Sequence, residues 1–305
     1  MPLPAPFIAF RSAIRRKWLA IPPFVRGAIC VSMGAIALTI MAVMVKFLGK
    51  DISPLEIQFF RSIIGLMLVV PLFWREPLAP FRTPKLNLHI LRGALGAAAN
   101  AFLFYSITHL PLADAMALQF SRPLWTIPLA LFFLGEVVRG GRLVASLVGF
   151  AGILVFAKPF TGGFDYNALI GATGALFGAL AIIDVKKLSE TEETRAIVFH
   201  FAFWNTLFSL IPAVWVWITP SMVQLLWLVA IGVLGIVGQL WLTQGFKLGD
   251  ASALVPLDYA RIVYGAVLGF FIFGEIPGLL SYLGMALIIG ASLYIVLSEQ
   301  RRTKA

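Results

Sequence analysis

GALGAAANAFLFYSITHLPLADAMALQFSRPLWTIPLALFFLGE, residues 93–136, is matched by GVLGIVGQLWLTQGFKLGDASALVPLDYARIVYGAVLGFFIFGE, residues 232–275, at a constant offset of 139. Asn100 falls on Gln239, Gln119 and Arg122 on Asp258 and Arg261, and Gly135-Glu136 on Gly274-Glu275. The pattern extends outward in both directions. At an offset of 140, Gly34-Ala35 falls on Gly174-Ala175 and Lys46 on Lys186, and at 141 Pro71 falls on Pro212. A duplicated apolar unit is the sequence form of a transporter, because paired repeats build a substrate site where they meet.

Composition names the solvent. The 305 residues are 60% hydrophobic and 12% charged, where about a quarter of an ordinary soluble chain is charged. Ten stretches approach the roughly 20 apolar residues that span a hydrocarbon core: 27–47, 55–73, 88–108, 113–134, 141–157, 166–185, 196–218, 223–246, 251–273 and 279–297. The expected fold class is therefore an all-α integral membrane protein of ten transmembrane helices, with repeats at 27–157 and 166–297 and basic tails at 1–26 and 298–305.

Charge orients the spans. With both termini in the cytoplasm, 18 of the 24 Lys and Arg residues face inward, 3 face outward (Lys46, Lys50, Lys158) and 3 lie within spans (Arg61, Arg122, Arg261). That bias predicts a multi-pass protein of the inner, plasma membrane with both termini inside. It also accounts for the net charge of +10 through anionic lipid headgroups, with no call for nucleic acid. Five spans per repeat is an odd number, so the second copy enters from the other side and the repeats are expected to be inverted. Phe7, Phe10, Ile14 and Trp18 beside Arg11 and Arg15 have the spacing of an amphipathic helix lying on the inner leaflet. The one cysteine, Cys30, reads as a small hydrophobe in an apolar span.

Leu110-Pro-Leu-Ala-Asp-Ala115 leading into Gln119-Phe-Ser-Arg-Pro-Leu124, the closing Phe133-Leu-Gly-Glu136, and Leu257-Asp-Tyr-Ala-Arg261 running to Phe273-Gly-Glu275 resemble the drug/metabolite transporter superfamily, in its EamA-type exporters. Arg61 in Phe59-Phe-Arg-Ser62 is similar to an arginine in that family's second helix. The resemblance implies ten helices in two repeats and a small-metabolite cargo, a class that spans amino acids, vitamins, nucleoside-like metabolites and cationic cofactors. Arg122 departs from the small or polar residue that relatives carry before this proline, which marks it as a specificity element of this chain.

Intramembrane charge carries the mechanism. An Arg at mid-helix costs about 2.5–3.5 kcal/mol to insert, so a functional role is the default reading. Arg122 and Arg261 fall near the middle of their spans at repeat-equivalent positions. Asp258, three residues before Arg261, shares its helical face. It is read as a switchable ion pair, a proton site or a permanent structural pair, and these stay open. Arg61 lies six residues into its span, within reach of the interface by snorkelling, and its role splits evenly between structure and function. His200 and Asp184 sit near helix ends, where a solvated position is expected to outweigh a proton relay. Glu136 and Glu275 are expected to cap helix ends.

Gln119, Trp125, Tyr105, Asn100, Tyr259, Tyr264, Trp241, Gln239 and Gln244 are placed to line a pocket for an amphipathic solute on the third, fourth, eighth and ninth spans. Pro123, Pro128 and Pro256 are expected to interrupt the fourth and ninth spans at matching places. Arg122 and Arg261 against Asp258 leave a net +1, which favours an anionic or zwitterionic solute bound through guanidinium–carboxylate contacts. The sequence therefore reads as a secondary transporter, exporter or exchanger, of a small carboxylate-bearing metabolite, amino acids leading, working by alternating access. No nucleotide-binding loop, metal-ligand spacing or cofactor motif is present, so neither an enzyme nor a cofactor is expected. A lipid flippase of the same fold is the other class; proton coupling and a monomer or homodimer state stay open.

Overall fold

A computed structural model describes residues 18–73, 83–134, 140–157, 165–189, 191–192, 194–248 and 251–303. Phe7, Phe10 and Ile14 of the tail, Gly135-Glu136 and Lys158 lie outside the described residues. The described chain is all-helical: α1 (Pro23–Leu48), α2 (Pro54–Val69) with a short 3-10 turn (Val70–Phe73), α3 (Leu86–His109), α4 (Leu112–Gln119), α5 (Arg122–Leu134), α6 (Gly140–Ala157), α7 (Tyr166–Ser189), α8 (Thr194–Trp215), α9 (Met222–Leu248), α10 (Ala251–Phe273) and α11 (Leu279–Thr303). Pro23 and Pro54 open their helices at the first position, where a missing N–H costs nothing, and Ser53 caps α2 by accepting from the Leu55 N–H at 3.4 Å. Large apolar side chains such as Leu226, Phe271 and Leu279 stay exposed, as lipid-facing positions require. Among the described residues, four helical stretches are by themselves long and apolar enough to cross a membrane: Pro23–Leu48, Leu86–His109, Ala196–Trp215 and Met222–Gly245. This is fewer than the ten spans read from the sequence, because several remaining helices are shorter or carry charge.

The principal deviation from the sequence reading is in the fourth span. It is two helices, α4 and α5, broken at Phe120-Ser121. Pro123 has no N–H for the carbonyl four residues back, and Ser121 Oγ donates to the Leu118 carbonyl at 2.6 Å, tightening the last turn of α4. The Phe120 carbonyl, freed by the break, accepts from Ser292 Oγ of α11 at 3.0 Å. The other prolines do not break their helices. Pro128 lies inside α5, and the Leu124 carbonyl that it cannot serve accepts instead from Ser146 Oγ of α6 at 3.0 Å. α10 is continuous through Pro256, so the expected matching interruption of the ninth span is absent: a single lost donor in the second turn is tolerated.

Helices from the two halves of the sequence interlock. α1 packs along α9, α3 along α7, α6 along α11, and α2 and α3 against α8. Small residues set the closest approaches. A Cβ on Gly34 of α1 would lie 2.9 Å from both the Gly238 carbonyl and the Leu242 nitrogen of α9, and one on Gly174 of α7 would lie 3.4 Å from the Ala99 carbonyl and the Leu103 nitrogen of α3. Likewise Gly93 and Gly96 of α3 receive Trp204 and Phe201 of α8, while Gly232 and Gly235 of α9 receive Ile64 and Arg61 of α2. Each contact recurs at positions related by the offsets of 139 and 140 seen in the sequence. Between apolar helices in lipid such close backbone packing is the main attraction.

It follows that Gly34→Val should lower the unfolding temperature of the purified protein by several degrees, since overpacking a tight interface costs roughly 1–3 kcal/mol. Met33→Ala, one residue away but exposed, is the control. Equal melting of the two variants would show that the α1–α9 approach carries no special stability.

Past α10 the chain turns at Gly274, whose φ of +68° suits glycine, and the Glu275 N–H bonds the Gly269 carbonyl at 3.1 Å. This directs the Glu275 carboxylate onto the Leu112 N–H at the start of α4, 2.8 Å away. Lys46, at the end of α1, pairs with the same carboxylate and donates to the Leu110 carbonyl. The capping role expected for Glu275 therefore holds, and it caps a helix of the other half of the chain.

Candidate functional site

The break between α4 and α5 positions the candidate site. Arg122 is the first residue of α5, and its side chain crosses to α7, where a Cβ on Gly178 would meet its Nε at 2.7 Å. Only a glycine leaves that channel open. Arg122 is half-buried, its buried Nε has no hydrogen-bond partner, and it lies within electrostatic range of Arg261 and Asp258 on α10. Those two form a fork: Arg261 Nε lies 2.8 Å from Asp258 Oδ1 and its terminal Nη2 donates to Asp258 Oδ2 at 2.9 Å. The i, i+3 spacing on one helix makes this pairing inevitable once both face the interior.

Phe120, the residue at the break, completes the group. The Arg261 guanidinium sits 4.7 Å from its ring centroid, and Tyr259 stacks on the same ring at 4.3 Å. The Tyr259 hydroxyl lies near Ser292, whose Oγ donates to the Phe120 carbonyl. The structure thus assembles two guanidiniums, one carboxylate and a two-ring platform around an interrupted helix, with one uncompensated positive charge. Such a set offers a carboxylate-binding arginine beside a flat apolar surface.

Of the residues selected from the sequence, Arg122, Arg261, Asp258 and Tyr259 converge here. Phe120 and Ser292 were missed, since neither carries a charge or falls in a repeat-matched polar pair. Gln119 is half-buried on the turn before the break. Trp125 lies one turn into α5, its ring edge-on to Phe150 at 4.6 Å and its buried Nε1 without a hydrogen bond. Asn100 is half-buried on α3, and Tyr264 and Trp241 are half-buried on α10 and α9, while Gln239 and Gln244 are exposed. Tyr105 belongs to a different group near the end of α3, stacking on His109 at 3.9 Å and donating to Asn167 Oδ1 at 3.2 Å.

Arg61 does not reach outward. Its Nε lies 2.9 Å from where a Cβ on Gly235 would be, Met41 flanks the same spot, and the guanidinium faces the Phe104 ring at 5.8 Å. The interfacial snorkelling considered for it is thereby replaced by a position between α1, α2, α3 and α9, made available by a glycine that leaves no side chain in the way. Asp184 and His200, expected at solvated ends, are buried because α3 covers both.

Two segments of the chain, residues 25–158 and 166–297, each match the model of the EamA-like transporter family. The chain belongs to the EamA-like transporter family. Proteins similar to it include an S-adenosylmethionine uptake transporter of Rickettsia felis, 33% identical over 85% of this chain and 88% of the relative. A pseudopaline exporter of Pseudomonas aeruginosa is 31% identical over 90% and 97% of the two chains. A riboflavin transporter of Brucella anthropi is 30% identical over 79% and 87%. A solved crystal structure shares the fold with a TM-score of 0.59 at 21% identity, covering 92% of this chain and 99% of that one. This EamA protein is therefore a multi-pass membrane transporter of a small metabolite and not an enzyme.

Proposed function

We propose that this EamA protein is a secondary transporter of a small carboxylate-bearing metabolite, amino acids and amino-acid conjugates being the leading class. The carrying observation is the convergence of Arg122, Arg261 and Asp258 on a broken helix beside the Phe120–Tyr259 platform. Arg122 takes the cargo carboxylate in a two-point contact, Asp258 faces an amino group or exchanges Arg261 with the cargo, and a ring or apolar arm lies on Phe120. S-adenosylmethionine, the cargo named for a relative, presents a carboxylate, an amino group and a purine to that division, while its sulfonium adds a positive charge that the site's net +1 does not favour. Gln119, Trp125, Asn100, Tyr264, Trp241, Gln239, Tyr105 and Arg61 are assigned to the walls of the pathway.

Transport follows alternating access between two inverted five-span repeats, 27–157 and 166–297. The recurring glycine contacts support this arrangement, since the first span of each repeat packs on the third span of the other. Rocking one repeat against the other then opens the site to either side. The membrane is the inner one, with both termini cytoplasmic.

Purified protein in liposomes should exchange labelled S-adenosylmethionine or an amino acid across the bilayer with the cargo's mass unchanged, and riboflavin, which has no carboxylate, serves as the control. A changed mass would point to a membrane enzyme, and exchange restricted to compounds without a carboxylate would refute the assigned class. For topology, a reporter fused after Lys304 should read cytoplasmic and one near Gly162 periplasmic; the reverse pattern would overturn the orientation.

A further inference from the structure

A second cluster of titratable side chains lies apart from the arginine site, where the start of α3 meets the end of α7 and the start of α8. His89 of α3 and His200 of α8 are both fully buried, and their rings stack with centroids 4.1 Å apart and planes 24° from parallel. The Glu192 carboxylate, in the turn between α7 and α8, lies 3.7 Å from His89 Nε2 and is held by Thr83 Oγ1, which donates to its other oxygen at 2.7 Å. Arg92 of α3 lies within electrostatic range of His89 and of Asp184 on α7, Lys187 lies near Asp184, and Lys85, just before α3, donates to the Lys187 carbonyl at 3.3 Å. Arg92 is itself seated over the Phe201 ring at 5.0 Å.

We propose that the His89–His200 pair is a proton-binding site of capacity one. Face-to-face stacking turns the ring nitrogens away from a shared point, so the pair is unsuited to a metal ion, and no group of three metal-binding side chains occurs among the described residues. A proton fits. The first gains the Glu192 carboxylate as counter-charge and spreads over one imidazole stacked on a neutral one. A second would set two cations about 4 Å apart inside protein, which separates the two steps by about three pH units. Such a separation does not arise for solvated histidines.

The location gives the proton a route to the cargo. Asp184 lies six residues beyond Gly178 on α7, about 9 Å along the helix, and Gly178 is the seat of Arg122. A change of charge at the pair alters how the ends of α3, α7 and α8 pack and is carried by α7 as a rigid element to the arginine. The link to transport rests on the proposed function, whereas proton binding does not.

Full-length protein labelled with 15N-histidine and titrated by NMR from pH 9 to pH 4 decides the matter. The chain has three histidines, and His109→Gln identifies the third. The expected result is a single proton taken up by the pair, both rings shifting together, with Glu192→Gln moving the midpoint to lower pH by half a unit or more. His200→Gln should leave His89 titrating alone. Two independent titrations near neutrality, or both rings neutral down to pH 4, would overturn the proposal. If His200→Gln does not fold, the parent titration and Glu192→Gln still decide it, because Glu192 sits at the rim of the cluster. A titrating pair in a protein that moves no cargo would sink the transport reading and leave the proton site standing.

Discussion

Arg122→Lys weakens binding of a carboxylate-bearing cargo about tenfold, and Arg122→Gln about a hundredfold, while a neutral analogue loses little. Hydrogen bonds to charged groups contribute about 1.5–3 kcal/mol each, and each 1.4 kcal/mol is a factor of ten. Lysine keeps the charge and loses the planar two-point geometry; glutamine loses both. Gly178→Ala offers an independent route to the same result, because the new methyl would occupy the space 2.7 Å from Arg122 Nε and displace the side chain without changing its charge. Equilibrium binding to the purified protein, with circular dichroism to confirm folding, is the measurement. Unchanged affinity in both Arg122 variants would reduce Arg122 to a packing residue and leave Arg261 with Asp258 as the charged site.

Asp258→Asn is expected to give a folded, monodisperse protein whose transport has a changed pH dependence and favours anions over zwitterions. Removing one partner of a buried ion pair ordinarily costs about 3–5 kcal/mol, because the other charge is left uncompensated. Here Arg261 retains the Phe120 ring at 4.7 Å, a cation–π contact that offsets part of the loss. The site charge rises from +1 to +2, which is where the altered selectivity comes from. Exchange assays at pH 6 and pH 8 with an anionic and a zwitterionic amino acid separate the readings. Protein that fails to insert or aggregates on extraction would instead assign Asp258 and Arg261 to a permanent structural pair.

The two halves of the candidate site differed in legibility. Arg122, Arg261 and Asp258 announce themselves, since a charge inside an apolar span is costly and rarely accidental. The small-residue runs 93–99 and 171–178 read as close packing for a similar reason, as small residues in a membrane helix mark where another helix comes near, whereas Gly34 shows in the sequence only as a repeat match. Phe120 gave no such signal. With 26 phenylalanines in the chain, nothing local distinguishes the one that carries Arg261 and Tyr259. The prolines misled in two cases of three, because whether a missing N–H breaks a helix depends on who takes up the orphaned carbonyl. Ser146 does so for Pro128, and a residue 22 positions away is invisible to a local pattern.

The sequence by itself determined the solvent, the helical class, the duplication and the charged residues at its centre, all of which follow from composition and from spacing along one chain. Only the tertiary structure decided that the fourth span breaks while the ninth does not, that Arg61 turns inward to Gly235, and that His89 and His200 meet in a buried stack. The physical reason is common to all three. Each depends on a partner from a distant helix, supplying a hydroxyl, an empty glycine face or a second ring, and residues more than a hundred positions apart leave no periodic trace of their meeting.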